Sequence, residues 1–237
     1  EYKQRLATLF KTKPAYEAYE EAQKAYTDGN GAKAKTLVEK AISIEPREGH
    51  FHSLLGDIEH KKNNLSIAQK HYNKAISLNN EFFYYYLQNG LVSEKLGDQV
   101  TAKRYLDRSV QLLPTANAYN SLGNIARAQG QITAAKDYYS KAASQQSEAG
   151  QAAFGSLVEL DLPSNPGNYI KTRYGVTRNG TLQIQVSNET PRNVKNVVIA
   201  VRYIDVGGEL RNLQQPLSGV LAAGKSQVIN TNLQVHP

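Results

Sequence analysis

The 237-residue chain contains no cysteine, no methionine and no tryptophan. Without cysteine, neither a disulfide framework nor a thiolate metal site can form. No apolar run approaches the ~20 residues that a membrane-spanning helix needs, so we expect no transmembrane segment. The chain begins at Glu1 and has no methionine at all. We therefore expect a processed product, or a fragment of a longer protein from which any targeting signal has been removed.

The composition is that of a globular protein, with 40% hydrophobic and 21% charged residues, and the length allows two modest domains. The net charge of +7 is unevenly placed, because residues 163–237 carry eight lysines and arginines against three carboxylates. This basic region either attracts an anionic partner, such as nucleic acid or a lipid surface, or forms a solvated sheet face. Its basic residues do not cluster with interleaved aromatics, which favours the solvated face and predicts no nucleic-acid partner.

Small residues recur along the first two thirds of the chain with a period of 33 or 34 residues, at Ala22, Gly56, Gly90 and Gly123. Three further positions keep the same phase. They hold Ala34, Ala68, Ala102 and Ala135, then Val38, Tyr72, Leu106 and Tyr139, then Ala41, Ala75, Ser109 and Ala142. This small, small, large, small pattern resembles the tetratricopeptide repeat (TPR) family over residues 15–150.

The resemblance implies that each repeat is a pair of helices that approach closely where the residues are small, while the large residue fills the space beside them. Turn residues at 28–31, 63–64, 97–98 and 130 separate the predicted helices. A short N-terminal helix is expected within residues 1–13, ending before Pro14. The TPR array then covers residues 14–161, and its capping helix runs from Ala149 to Leu160.

The chain changes character after the array. Residues 162–168 form a linker by composition, and residues 169–237 show the two-residue alternation of strands. Asn179-Gly180 predicts a type I′ hairpin turn, and residues 194–204 predict one long strand. Residues 229–235 alternate again near the end. The predicted fold is therefore an all-α TPR superhelix of four helix pairs plus a capping helix, followed by a small all-β immunoglobulin-like sandwich.

Two apparent chemical motifs have structural alternatives. Residues 219–226 read Gly-Val-Leu-Ala-Ala-Gly-Lys-Ser, which matches the phosphate-binding P-loop, but the alternation that follows predicts a strand instead of the required helix. We interpret this segment as a turn between strands. Four of the five histidines fall in the second repeat, yet His50 and His60 are about 15 Å apart along one helix, too far to share an ion. We expect no metal, no cofactor and no catalytic centre in this chain.

In the TPR family, fixed positions of each first helix line the groove that holds peptides. Transferred by register, those positions are Tyr16, Tyr19, Gln23 and Tyr26; His50, Ser53, Asp57 and His60; Tyr84, Leu87, Leu91 and Glu94; and Asn117, Asn120, Asn124 and Arg127. Such a surface, aromatic at one end and rich in asparagine and arginine at the other, suits an extended backbone. The alternative is a polar stripe without a ligand. Tyr86 is expected to pack in the core of its repeat.

The residues that clamp a chaperone carboxylate in other TPR proteins are replaced here by Tyr19, Ser53 and Leu87, so a chaperone tail is a poor candidate ligand. A narrower resemblance rests on residues 45–52, 82–90 and 113–119, which look like the C-terminal TPR region of bacterial envelope zinc metallopeptidases related to the CaaX-prenyl proteases. That resemblance implies a peptidase domain upstream and a location in the periplasm or cell envelope, whereas the absence of cysteine fits the cytoplasm equally well.

The sequence therefore predicts a non-catalytic protein–protein interaction scaffold that binds extended or unfolded polypeptide, in the service of a periplasmic metalloprotease. The alternative is a stand-alone envelope assembly or adaptor protein that docks through its β-sandwich.

Overall fold

A computed structural model describes the backbone of residues 2–205 and 207–234, and the side chains from residue 12 onward within those ranges. The chain forms two compact units that meet in sequence between Gly150 and Gln151. In the first unit, consecutive helices pack as four pairs. These helices are α1 (Tyr2–Thr27), α2 (Gly31–Ile44), α3 (Gly49–Lys61), α4 (Leu65–Leu78), α5 (Phe83–Lys95), α6 (Gln99–Leu112), α7 (Ala116–Ala128) and α8 (Ile132–Ala143). The helix predicted to cap the array is α9 (Glu148–Asp161), which begins at the end of the first unit and lies mostly in the second.

The periodic positions of the sequence form the core of these pairs. All twelve of the residues at the second, third and fourth positions of the pattern, from Ala34 to Ala142, are fully buried. The residue at the first position of the pattern determines how large the residue at the third position can be. A Cβ on Gly56 would lie 2.7 Å from the Tyr72 ring, and one on Gly90 would lie 2.7 Å from Leu106 Cγ. A large side chain on the second helix thus requires a glycine on the first.

The predicted turns are confirmed by backbone conformation. Gly29, Asn63, Gly97 and Gly130 occupy the same place in successive repeats, and each has a positive φ, between 62° and 82°. A helix can end in this left-handed conformation with little strain at glycine and with moderate strain at asparagine. The spacing of the four turns fixes where each second helix begins.

The expected end of the first helix before Pro14 is wrong, because α1 runs without a break from Tyr2 to Thr27. A proline removes one backbone hydrogen bond and crowds the preceding turn, but it does not force a helix to end. Downstream of it, Ala15, Ala18 and Ala22 are buried in the core, which holds the helix in place. The apolar residues predicted for the first eleven positions lie outside the described side chains.

The second unit contains a short 3₁₀ turn (Pro166–Asn168) inside the predicted linker, followed by strands. The strands are β1 (Ile170–Val176), β2 (Thr181–Asn188), β3 (Val194–Lys195), β4 (Val198–Ile204), β5 (Leu210–Pro216), β6 (Val220–Leu221) and β7 (Ser226–Gln234). All pairings are antiparallel, in the orders β1-β2-β7, β3-β6 and β4-β5. Ile184, Val186, Ile199 and Val201 lie at the centre of their common core.

The structure corrects two details of the strand prediction. β1 and β2 do form a hairpin, but the loop spans residues 177–180, and only Gly180 has a positive φ in it, so the turn is not type I′. The single strand expected over residues 194–204 is interrupted at Asn196, whose φ is 57°. Near the end, Ile229, Thr231 and Leu233 alternate inward as predicted, while Val235 lies outside the described residues.

The P-loop-like segment is a turn between strands, as expected. Val220–Leu221 forms β6, and the strand β7 begins directly at Ser226. A phosphate-binding loop needs a helix at this point so that its N-terminal amides face the phosphates. Gly224, with a φ of 64°, serves the turn instead.

Candidate functional site

Six of the predicted groove residues lie around one cavity of about 320 Å³ in the helical unit. They are Tyr19, Gln23, His50, Ser53, Asp57 and Tyr84, and Leu54 and Phe82 complete the lining. The residues come from α1 and α3 and from the start of α5, because equivalent positions of successive first helices lie side by side. We call this feature the Asp57 cavity.

The Asp57 carboxylate is ringed by tyrosine hydroxyls. Tyr72 donates a hydrogen bond of 2.7 Å to Oδ1, and Tyr84 donates one of 3.2 Å to Oδ2. Tyr26 donates a longer bond of 3.5 Å to the backbone carbonyl of Asp57. Tyrosines of three helices therefore contact Asp57, and two of them, Tyr72 and Tyr84, orient its carboxylate.

Burial dominates the electrostatics of the site. It raises the pKa of Asp57 to about 6, although the hydrogen bonds from Tyr72 and Tyr84 act in the opposite direction. Burial and then the neighbouring Asp57 raise the pKa of Tyr19 to about 12, and the same causes raise that of Tyr84. The tyrosines consequently remain protonated donors, while the carboxylate titrates unusually close to neutrality.

One polar group in the lining is left without a partner. Ser53 is only 4% exposed, and its buried hydroxyl has no hydrogen-bond partner among the described residues. An unpaired buried hydroxyl is costly, so such a group calls for an explanation. At the rim, Gln23 Nε2 donates to the Tyr19 hydroxyl at 3.0 Å, and Tyr16 donates to Glu48 at the same distance.

The predicted residues of the third repeat contribute less surface. Leu87 is 4% exposed and packs with Leu122 and Ile125, and Leu91 packs half-buried against the same cluster. Both side chains are apolar, so they pack between neighbouring repeats and offer little binding surface. Burial raises the pKa of Glu94, which is hydrogen-bonded to Ser121. His60 Nε2 lies 2.8 Å from Lys95 Nζ.

The predicted residues of the fourth repeat form a polar surface that does not line the Asp57 cavity. Asn117, Asn124 and Arg127 are exposed, and Asn120 is half-buried. Asn124 Oδ1 accepts a 2.8 Å hydrogen bond from Tyr139. The fourth repeat thus repeats the contact between Tyr72 and Asp57, with an amide in place of the carboxylate.

The groove positions transferred from the TPR family did not include Phe82, which lines the cavity, or Tyr72, which binds Asp57. Phe82 precedes α5 and reaches the cavity from outside the helix, where no helical pattern places it. Tyr72 lies on a second helix, yet a signal existed, because an Asp or Asn follows the glycine by one residue wherever the large core residue is tyrosine. The interpretation of Tyr86 as core packing is wrong by one residue, since Tyr85 is fully buried and Tyr86 is half-buried.

The histidines of the second repeat contact different partners. The His50 ring meets Phe82 at 4.9 Å, whereas His52 stacks on His71 at 6.3 Å. Over the residues that the structure describes, no three histidine, aspartate or glutamate side chains gather in a way that would hold a metal ion. Within the same ranges, no helix has the length and apolarity needed to cross a membrane.

Comparison with known proteins agrees with the repeat pattern. A family model described as tetratricopeptide repeat matches residues 50–82 and 116–148. No curated protein matches the chain.

Solved structures share the fold of the helical unit. A crystal structure of MamA is 20% identical over 60% of this chain and 83% of its own, with a TM-score of 0.53. A MamA double mutant, RS-1 ArsTM, is 17% identical over 65% and 87%, with a TM-score of 0.57. YrrB, described as a TPR protein with an unusual peptide-binding site, is 18% identical over 65% and 80%, with a TM-score of 0.54. The matched repeats, the buried periodic positions and the shared fold show that the helices are arranged as in a tetratricopeptide-repeat array.

Proposed function

We propose that the helical unit is a protein-interaction scaffold that binds an extended segment of polypeptide along its first helices. The observation that carries this proposal is the Asp57 cavity, where aromatic rings, a carboxylate and an unpartnered hydroxyl converge from three repeats. Pockets of this kind receive side chains, while amides farther along the array, such as Asn117 and Asn120, suit a polypeptide backbone. The description of YrrB as peptide-binding supports the same use of a shared fold.

A permanently unfolded protein tests the proposal. We expect fluorescently labelled, reduced and carboxymethylated α-lactalbumin to bind the chain saturably in an anisotropy titration. Combining Tyr19→Ala with Asn117→Ala should weaken that binding roughly 10-fold, because it removes one aromatic wall and one amide. Asn117 is preferred to Asn124, since Asn124 accepts a hydrogen bond from the buried Tyr139 and its replacement would also alter the core of the repeat.

Arg104→Ala provides the control, because Arg104 is exposed on a second helix away from the cavity. It should bind the probe as the parent chain does. Circular dichroism must show that the double variant keeps its helices. Unchanged affinity in a folded double variant would exclude this binding site.

We further propose that the scaffold docks substrates or partners for a zinc metallopeptidase of the bacterial periplasm, and that this chain is itself non-catalytic. The support is the resemblance of residues 45–52, 82–90 and 113–119 to repeats borne by such enzymes. A His-Glu-x-x-His motif upstream in the same reading frame is expected. A reading frame without it, or chelator-sensitive casein cleavage by the isolated chain, would contradict the proposal.

A second candidate function, docking through the strand unit, is favoured by a cavity of about 600 Å³ there. Residues 194–200 line it consecutively, through β3, the interruption at Asn196 and the start of β4, while Ile170, Thr172 and Tyr174 line it from one face of β1. Among the described strands β4 pairs only with β5, so its other edge is open to an added strand of a partner. Lys195 is in the lining and no carboxylate is among the described lining residues, so the expected occupant is an extended acidic segment of a partner protein.

Carboxymethylated α-lactalbumin, which carries an added carboxylate on each modified cysteine, separates the two candidates. Docking at the strand unit predicts that binding survives the Tyr19 and Asn117 substitutions, weakens steeply with salt, and is lost when Tyr174→Ser is combined with Lys195→Glu. Binding that ignores these last two changes would exclude the strand unit.

A further inference from the structure

The charge of Asp57 is not needed for the contact that it makes in the fold. Asn124 occupies the same position of the fourth repeat and accepts a hydrogen bond of 2.8 Å from Tyr139, close to the 2.7 Å bond between Tyr72 and Asp57. A neutral amide therefore accepts this hydrogen bond with nearly the same geometry as a carboxylate does. Burying a carboxylate where an amide suffices costs stability, which is typical of groups kept for recognition.

The carboxylate retains acceptor capacity that the fold does not use. An ionised aspartate offers about four lone-pair positions, and Tyr72 and Tyr84 occupy one on each oxygen. Among the side chains that the structure describes, no lysine, arginine or histidine forms an ion pair with Asp57. The negative charge is thus held in place by neutral donors and has no counter-charge of its own.

The walls of the cavity suit a cation more than a second neutral group. Tyr19, His50, Phe82 and Tyr84 surround the space beside the carboxylate, and aromatic faces attract cations most strongly where water is excluded. The same part of the molecule already shows this contact, since Lys61 Nζ lies 5.1 Å from the centre of the Tyr26 ring. Lys61 is exposed, and it lies over Tyr26, which is not a lining residue of the cavity.

The Ser53 hydroxyl is an independent observation. It is in the lining, 96% of its residue surface is buried, and none of the described residues gives it a partner. A guanidinium or ammonium group carries several N–H donors. Such a group between Asp57 and Ser53 would use the free acceptor capacity of both side chains.

From this geometry we infer that the Asp57 cavity is a specificity pocket for a basic side chain, lysine or arginine, of the bound polypeptide. The inference rests on the proposed binding of extended polypeptide and names the residue type that it selects. Asp57 pairs with the cationic head, the Ser53 hydroxyl accepts from it, and the aromatic walls contact the head and the apolar stem of the side chain. The fourth repeat, with its amide, holds the chain without selecting charge.

Three labelled peptides of one sequence test the inference. They are twelve-residue glycine–serine peptides that carry, at the centre, either arginine, lysine or citrulline, the neutral isostere of arginine. We expect the arginine and lysine peptides to bind at least about 10-fold more tightly than the citrulline peptide at pH 7.5, as one desolvated charge pair predicts.

The variant Asp57→Asn should reduce this preference to about one, because it removes the charge and keeps a hydrogen-bonding group of the same shape. Asp107→Asn is the matched control. It removes the same charge from α6, where Asp107 pairs with Lys103 at the surface, and should leave the preference unchanged. Asp57→Asn is also expected to fold, since the fourth repeat tolerates asparagine at this position.

The results separate the inference from the function on which it rests. Equal binding of all three peptides, with carboxymethylated α-lactalbumin still bound, would overturn the basic-side-chain pocket and leave the scaffold function intact. A preference that persists in Asp57→Asn would also overturn it. If the chain binds neither α-lactalbumin nor any of the three peptides, the proposed function itself is contradicted.

Discussion

The second and fourth repeats are built on the same contact but differ in one charge. In both, a tyrosine of the second helix lies against a glycine of the first, Tyr72 against Gly56 and Tyr139 against Gly123. In both, the tyrosine hydroxyl donates to the residue that follows the glycine. That residue is Asp57 in one repeat and Asn124 in the other, and these are the two repeats that the family model matches.

The difference separates what the fold requires from what it merely permits. The first and third repeats lack the tyrosine and place Val38 and Leu106 at the equivalent buried position, so the hydroxyl contact is not needed for a helix pair to form. What every repeat needs is that the side chains facing each other across the two helices fit in size. The carboxylate is a feature of the second repeat alone, and it lies in the cavity to which we assign recognition.

The largest expected effect removes what the two repeats share. Gly56→Leu and Gly123→Leu should each destabilise the helical unit by about 3 kcal/mol, because their Cβ positions lie 2.7 and 2.6 Å from a buried tyrosine ring. Urea unfolding followed by circular dichroism measures the change. Gly31→Ala is the control, since its nearest neighbour would be 3.9 Å away. A stable Gly123→Leu beside an unstable Gly56→Leu would show that the two packings are not equivalent.

The next largest effect is expected from Asp57→Asn, which removes the charge by which the two repeats differ. Because burial raises the pKa of Asp57 to about 6 from 3.8, the folded state binds its proton more tightly than the unfolded state does. The stability tied to this proton is present below pH 4 and is lost as the pH rises through 6. Asp57→Asn should therefore be more stable than the parent chain by roughly 2 kcal/mol at pH 7.5 and nearly equal to it at pH 4.

The comparison of the two chains at each pH isolates Asp57, because other carboxylates such as Glu59, whose pKa is lowered by its hydrogen bond with Lys35, titrate in both. The measurement is the free energy of unfolding in urea between pH 4 and 7.5. An advantage of the asparagine variant that does not vary with pH would contradict a raised pKa. The reciprocal change, Asn124→Asp, should introduce little pH dependence in the fourth repeat, because residue 124 is exposed and lacks the burial that raises the pKa of Asp57.

The smallest effect concerns the hydroxyls. Tyr72→Phe and Tyr139→Phe each delete one donor and keep the ring, so each should cost about 1 kcal/mol at pH 7.5. The cost should be greater for Tyr72, because its acceptor is a buried carboxylate. In the Asp57→Asn background that excess should disappear, which a double-mutant cycle would measure. Equal costs in the parent chain would indicate that water compensates at Asp57.

The sequence alone predicted the helical unit in detail because each repeat carries its own constraints. Positions such as Ala34, Ala68 and Tyr139 recur at fixed intervals, and the physical requirement is local, one small residue facing one large residue across a helix pair. The positive-φ turns at Gly29, Gly97 and Gly130 could be read in the same way. The alternation of apolar and polar residues likewise predicted β7. The interruption at Asn196 and the turn type at Gly180 were not predicted, because they depend on pairing between distant segments.

The candidate site was predicted only in part. The register placed Tyr19, His50 and Asp57 on the first helices, and the structure shows that they share one cavity. Only tertiary structure decided that Leu87 is buried and that Phe82 enters the lining from a loop. Nor does periodicity reveal that Ser53 lacks a partner. Register fixes the direction in which a side chain points, whereas burial, hydrogen bonding and the pKa of Asp57 depend on neighbours from other helices that only the packed array brings together.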